Sequence, residues 1–186
     1  MIEILAYQPN WPARFTTLGR ELRRATGANA LAIHHIGSTS VPGLAAKDVI
    51  DVQITVEDLE HPFRANLEAL GLSLTPHTRD HLPQGLTLPE EALEKRLFTS
   101  ETPRANVHIR VLGRCNQPYA LLCRDYLRTH GMAADAYAEI KRQLARYFPN
   151  DTDAYYAIKD PVFDIIVAGA LEWAERTSWQ QPPSDA

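Results

Sequence analysis

Residues 33–56 constrain the fold more tightly than any other part of the chain. A short stretch, Ile33-His34-His35-Ile36, leads into the small-residue turn Gly37-Ser38-Thr39-Ser40. Val41-Pro42-Gly43 fits a second turn, and Leu44-Ala45-Ala46 fits one or two helical turns. The next run has period two: Asp51, Gln53 and Thr55 fall on one face, Val52, Ile54 and Val56 on the other, as a strand requires. The spacing predicts strands over residues 30–36 and 48–56. A third strand follows at Asn106 to Val111, with Val107, Ile109 and Val111 opposite Asn106, His108 and Arg110. If these strands are neighbours, their polar stripes share one surface of the sheet. A covered sheet face is not normally so polar, so an open active-site face is expected.

Around this centre the chain is mostly helical. Asn10-Trp11-Pro12 starts a helix, with Asn10 as cap and proline in the first turn. Trp11, Phe15, Leu18, Leu22 and Ala25 recur at helical spacing down to Gly27. Arg14, Arg20, Arg23 and Arg24 lie off that stripe and read as a solvated face. Glu57 to Leu70 predicts a helix, with Pro62 early where it is tolerated. Residues 72–104, holding four prolines, predict a strand near 72–77 and then a long irregular segment with a helical turn around 90–96; such segments are often functional lids. Helices are expected over Pro118–Thr129, Asp135–Phe148 and Thr152–Trp173, the last broken or kinked at Pro161. The tail after Trp179 is expected to fray. The chain thus divides into an α+β part, 1–114, a helical part, 115–178, and a tail, 179–186, packed as one unit over 1–186.

Several function classes lose support. The 186 residues are 45% hydrophobic and 23% charged, with a formal net charge of −4. That is the composition of a globular domain with a real core. General nucleic-acid binding is unexpected without a basic balance, whereas local clusters still permit small anionic ligands. No basic-then-apolar leader and no long apolar run is visible, so no signal peptide or membrane span is expected and a cytoplasmic location follows. Cys115 and Cys123 show neither disulfide nor metal-ligand spacing; Cys123 reads as a buried structural thiol.

Gly37-Ser38-Thr39 is neither a P-loop nor a dinucleotide fingerprint, since Lys47 does not follow a glycine. It is a plain turn or a phosphate cradle built from backbone N–H groups and hydroxyls. Asp51 is the sharper signal, because a mid-strand carboxylate costs free energy unless it is paired or binds a cation. Its structural alternative is a salt bridge to Lys47 or an arginine. Gln53, on the same face, offers a neutral oxygen ligand. His108 is a third ligand, a general base or a phosphate-contacting cation. Arg124, Asp125, Arg128, Lys141 and Lys159 read by default as exposed helix charge; the rival reading turns some of them inward, with Arg110 on the strand, to clamp an anion, Asp125 orienting one of them. His35 adjoins the turn and could touch a ligand. His34, His61, His77, His81 and His130 read as solvated or structural.

The run His35-Ile36-Gly37-Ser38-Thr39-Ser40-Val41-Pro42-Gly43-Leu44-Ala45-Ala46-Lys47, followed by Ile50-Asp51, resembles the GrpB family. The resemblance continues in Trp11-Pro12, Val107-His108-Ile109, Arg124-Asp125-Tyr126-Leu127-Arg128, Tyr137, Ile140, Lys141, Tyr155 and Lys159, and so covers nearly the whole chain. It implies the mixed sheet and flanking helices of the nucleotidyltransferase superfamily. In that fold a Gly-Ser turn holds nucleotide phosphates, and strand carboxylates hold two magnesium ions for in-line displacement at the α-phosphate. By resemblance, Gly37 and Ser38 take the phosphate role and Asp51 the first metal role. Gln53 stands where a second carboxylate would be, and His108 about where the third would fall. Similar domains occur fused to dephospho-CoA kinase, which points to nucleotide-linked partners.

The expected function is Mg²⁺-dependent nucleotidyl transfer to, or binding of, a phosphorylated small molecule. Gly37, Ser38, Thr39, Lys47, Arg110, Arg124, Lys141 and Lys159 would hold phosphate; Asp51, Gln53 and His108 would hold metal, with Asp51 and His108 catalytic. The rival from another class is an inactive nucleotide- or anion-binding regulatory module, which Gln53 favours. A further alternative replaces magnesium with a transition metal on Asp51 and His108.

Overall fold

The computed structural model describes residues 1–60 and 63–186. Its centre is a five-stranded mixed sheet of order β1-β2-β5-β4-β3. The strands are β1 (Ala32–Ile36), β2 (Ile50–Val56), β3 (Ser73–Leu74), β4 (Arg96–Glu101) and β5 (Arg104–Val111). β1 and β2 are antiparallel, while β2 and β5 run parallel with Asp51 opposite Asn106, Gln53 opposite His108 and Thr55 opposite Arg110. The two polar stripes therefore share one surface, as their alternation implied.

The apolar surface of the sheet is closed by α1 (Trp11–Thr26) and α2 (Arg64–Ala69). Trp11, Phe15, Leu18 and Leu22 pack there against Ile33, Val52, Ile54, Val107 and Ile109. The helices α3 (Asn116–Thr129), α4 (Gly131–Tyr147) and α5 (Thr152–Thr177) form the other half. Leu127, Tyr137, Ala138 and Ile166 bury against Val41, Leu44 and Ala45, joining the helical half to the chain just after the Gly-Ser turn. Among the described residues no helix is long and apolar enough to cross a membrane.

Several expectations fail in detail. β4 departs from the expected irregular segment: residues 96–101 form a hairpin with β5 that seats Phe98 against Val107. The predicted strand at 72–77 shrinks to Ser73–Leu74, and the helical turn appears as a 3₁₀ turn at Glu90–Leu93. Between β1 and β2 the turn of helix lies at Ser38–Ser40, also 3₁₀, rather than at Leu44–Ala46. Asn10 precedes α1 without capping it through its side chain. The helix expected from Glu57 begins only at Arg64; Pro62 and His61 lie outside the described residues. α5 runs uninterrupted through Pro161, because the packing of Phe163 and Ile166 on the second core outweighs the bond that proline cannot donate.

The tail does not fray. Ile33 donates its N–H to Ser184 Oγ (2.9 Å), His35 donates to Asp185 Oδ2 (2.9 Å), and Asp185 N–H returns a bond to the Ile33 carbonyl (2.9 Å). The segment satisfies the open edge of β1, where unpaired backbone groups would otherwise face water. The expected solvated face of α1 is partly engaged too. Arg23 donates to the Ala30 carbonyl and to the Ala186 carbonyl, and Arg14 pairs with Asp48.

Candidate functional site

The open face of the sheet forms the floor of a cavity of about 800 Å³. The turn after β1, the segment carrying Asp80, and helices α3 to α5 wall it. Its volume falls within the range of small-molecule sites.

Gly37 ends β1 with φ of 69°. A Cβ there would collide with Asp51 Oδ2, so only glycine lets the turn lie against the β2 carboxylate. Asp51 Oδ1 accepts from Asn106 Nδ2 at 2.8 Å. Burial pushes the Asp51 carboxyl above its ordinary range, against the Asn106 hydrogen bond and the charges of Lys47, Lys159 and Arg110. His108 turns Nδ1 toward Arg110 Nη2 (3.4 Å) and Lys95 Nζ (3.5 Å). Both are donors, so Nδ1 accepts and the proton sits on Nε2, 4.0 Å from Asp51 Oδ1. Burial, reinforced by Arg110 and Lys95, holds His108 well below its usual value and therefore neutral.

Deeper on the same face lies a group that the sequence did not reveal. Asp80 accepts from Arg110 Nε (2.7 Å) and Nη2 (2.9 Å), from Lys95 Nζ (2.6 Å) and from Asn116 Nδ2 (3.0 Å). Burial opposes its ionised form, but Arg110 and then Lys95 hold its carboxyl far below the carboxylate range. Arg110 Nη1 also donates to Gln53 Oε1 at 2.6 Å, and Gln53 Nε2 donates to the Gln117 carbonyl at 2.9 Å. Nothing local marks Asp80, which sits among His77, Thr78, Arg79 and His81 in the irregular stretch.

Three lysines converge from separate elements. Lys141 of α4 donates to Ser38 Oγ (2.7 Å) and to the Ala45 carbonyl (2.6 Å), with its ammonium 4.5 Å from the Tyr137 ring centre. Lys47 donates to Tyr156 Oη at 2.7 Å. Lys47 and Lys159 both lie over the Tyr156 ring, 4.6 and 5.1 Å from its centre. Lys159 also bonds Asp160 Oδ1 at 3.1 Å. Burial, with neighbouring Lys159, lowers Lys141 to about 7. Burial would lower Lys159 as well, but Tyr137 and Asp160 raise it above its usual value. Tyr137 stands in the family resemblance, whereas Tyr156 carries no signal of its own in the sequence.

Other candidates are placed elsewhere or already engaged. Arg124, expected at phosphate, is almost wholly buried and ties the His35 carbonyl to Asp185 and Asp125. Arg110, likewise expected at phosphate, is committed to Asp80 and Gln53. His35 stacks on Phe15 at 4.7 Å, bonds Thr39 Oγ1 at 3.0 Å, and is lowered to about 4 by burial and by Arg128. The hydroxyl of Thr39, a buried residue at the cavity wall, is thereby engaged with His35. His34 is buried beside the Pro182 carbonyl, His81 pairs with Asp164, and His130 stacks on Tyr126.

The donor set does not fit the expected two-metal centre. Gln53 is fully buried with both ends of its amide engaged. His108 presents an N–H rather than a lone pair to Asp51. On its strand face Asp51 is followed by Gln53 rather than by a second carboxylate, and the charges of Lys47 and Lys159 act on it. Among the described residues no three His, Cys, Asp or Glu side chains gather as a metal cage.

Comparison with known proteins gives the lineage. The GrpB protein family matches residues 1–168. The chain belongs to that family. A crystal structure of the conserved protein GrpB from Enterococcus faecalis superposes with a TM-score of 0.73 at 29% identity, covering 93% of this chain and 99% of that one. UPF0157 protein BH1888 of Halalkalibacterium halodurans is 32% identical over 91% of this chain and 82% of its own length. A protein named dephospho-CoA kinase from Mycolicibacterium paratuberculosis is 36% identical over 96% of this chain. The chain spans about half the length of that relative, 48%.

Proposed function

We propose that this GrpB-family protein binds a phosphorylated small molecule, a nucleotide foremost, in the cavity over β2 and β5. The observation that carries the reading is that Lys47, Lys141 and Lys159 line one cavity with the Ser38 turn, Lys141 on Ser38 itself and Lys47 and Lys159 on the Tyr156 ring, held by tyrosine rings and a carbonyl more than by carboxylates. Aromatic faces attract an ammonium without cancelling its charge, so the cavity keeps a positive field for an anion. The name of the longer dephospho-CoA kinase relatives is in keeping with a phosphorylated ligand.

A thermal-shift screen of nucleoside mono-, di- and triphosphates tests this. A ligand held a hundredfold above its Kd adds about 2.7 kcal/mol, roughly 5–10 °C for a chain of this length. The shift is expected for at least one nucleotide and is expected to vanish in Lys159→Gln. No shift with any member of the panel rejects the reading.

A second reading adds group transfer, and Asp51 is the observation that favours it. A buried carboxyl with a raised pKa is suited to accept the proton of an acceptor hydroxyl that attacks the α-phosphate as pyrophosphate leaves. Pyrophosphate release from a nucleoside triphosphate, lost in Asp51→Ala, separates this reading from binding alone.

A further inference from the structure

Resting on the phosphate-binding reading above, we propose that Lys47, Lys141 and Lys159 supply the charge that magnesium would bring to such a site, so that the cavity takes its phosphorylated ligand as the metal-free anion.

The geometry assigns the lysines to that place. Lys141 reaches Ser38 Oγ, the hydroxyl of the turn that abuts Asp51 through Gly37. Lys47 and Lys159 share the Tyr156 ring, and both act electrostatically on Asp51. All three ammonium groups thus act electrostatically on the carboxylate that would have to anchor a cation. Of the carboxylates lining the cavity, Asp80 pairs with Arg110 and Lys95 and Glu101 with Arg104, which leaves Asp51 and Asp160 as counter-charges to the three lysines. With both ionised, and with Lys141 lowered to about 7 and so partly deprotonated at neutral pH, the group still carries a net positive charge, and burial disfavours the ionised form of Asp51. A divalent ion placed on Asp51 would be repelled by the lysines. It would also lack the several oxygen donors that magnesium demands, since Gln53 is locked between Arg110 and Gln117. An uncomplexed phosphate ester has the opposite preference: its oxygens accept from ammonium groups and from Ser38.

Chelation by magnesium removes two negative charges from a di- or triphosphate. Magnesium therefore competes with the lysines for the same oxygens, and it should weaken binding here where it strengthens binding at a metal-dependent site.

Isothermal titration of the full chain with ADP and with inorganic pyrophosphate, each in EDTA and in excess Mg²⁺, tests the inference. The expected result is binding in EDTA, weakened at least threefold by Mg²⁺ and at least tenfold by Lys47→Gln or Lys159→Gln. Asp51→Asn is expected to bind as tightly as the parent or more tightly, because it removes a negative charge while keeping the shape of the side chain. Far-ultraviolet circular dichroism of each variant confirms that it is folded. Binding that needs Mg²⁺ and disappears with Asp51→Asn overturns the inference and leaves the phosphate-binding reading standing. Binding of neither probe in either condition overturns both.

Discussion

At the scale of the residue, Asp80 controls the polar interior of the sheet. It is the shared acceptor for Arg110, Lys95 and Asn116, and its two cationic partners are largely buried. Removing one member of a buried charge cluster strands the others in a poor solvent. Asp80→Asn is therefore expected to lose roughly 3–5 kcal/mol of stability, measured by urea unfolding at neutral pH. The pH dependence follows from the direction of the shift. The Asp80 carboxyl lies below its unfolded value of about 3.9 in the folded state. Its contribution is fully present above that value and is lost as pH falls below about 4, because protons bind preferentially to the unfolded chain. The acid limb of the parent's stability curve should be steeper than that of Asp80→Asn. Asp51 and His108, by contrast, were visible in the sequence. A carboxylate and a histidine in otherwise regular strand alternation stand out without any knowledge of their neighbours, whereas Asp80 gains its meaning only from partners up to 36 positions away.

At the scale of the element, the turn of residues 37–40 and the tail depend on each other through β1. Arg124 of α3 joins the β1 backbone at His35 to Asp185 of the tail, and Ala186 lies against the bare Cα of Gly19 on α1. The last residues thereby clamp the edge strand that delivers Gly37 and Ser38 to the site. Asp185→Asn weakens a charge-assisted pair to Arg124 and the bond from the His35 amide. Amide hydrogen exchange at His35 should rise several-fold in this variant, with little change on β2 or β5, which are paired on both sides. Unchanged exchange at His35 would show that the rest of β1 pairing suffices. A Gln-, Pro- and Ser-rich sequence gives no hint of this role, because its ordering comes from the acceptors it meets rather than from burial of its own apolar groups.

At the scale of the whole molecule, the site is a seam between two cores. One core holds α1 and α2 against the apolar side of the sheet, and the other holds α3 to α5 against residues 41–45. The floor of the cavity belongs to the first half, and Lys141 and Lys159 come from the second. Packing of the halves brings Lys141 onto Ser38, 103 positions away in the chain. The positive field of the cavity is thus a property of the assembled domain, in a chain whose net charge is −4.

Local pattern determined a good deal by itself. Period-two alternation defined β2 and β5 and the face each residue takes, since that face follows from backbone geometry alone. Helical spacing defined α1 and most of the C-terminal helices, and the Gly37-to-Lys47 run carried the family. Tertiary structure alone decided the rest. It turned residues 96–101 into β4 through pairing with β5, carried α5 through Pro161, and docked the tail. It gave Arg110 and Arg124 to internal carboxylates and left the three lysines to the cavity. Charge does not reveal its partner in sequence: whether a lysine or arginine serves a ligand or a neighbour is set by distances that only folding fixes.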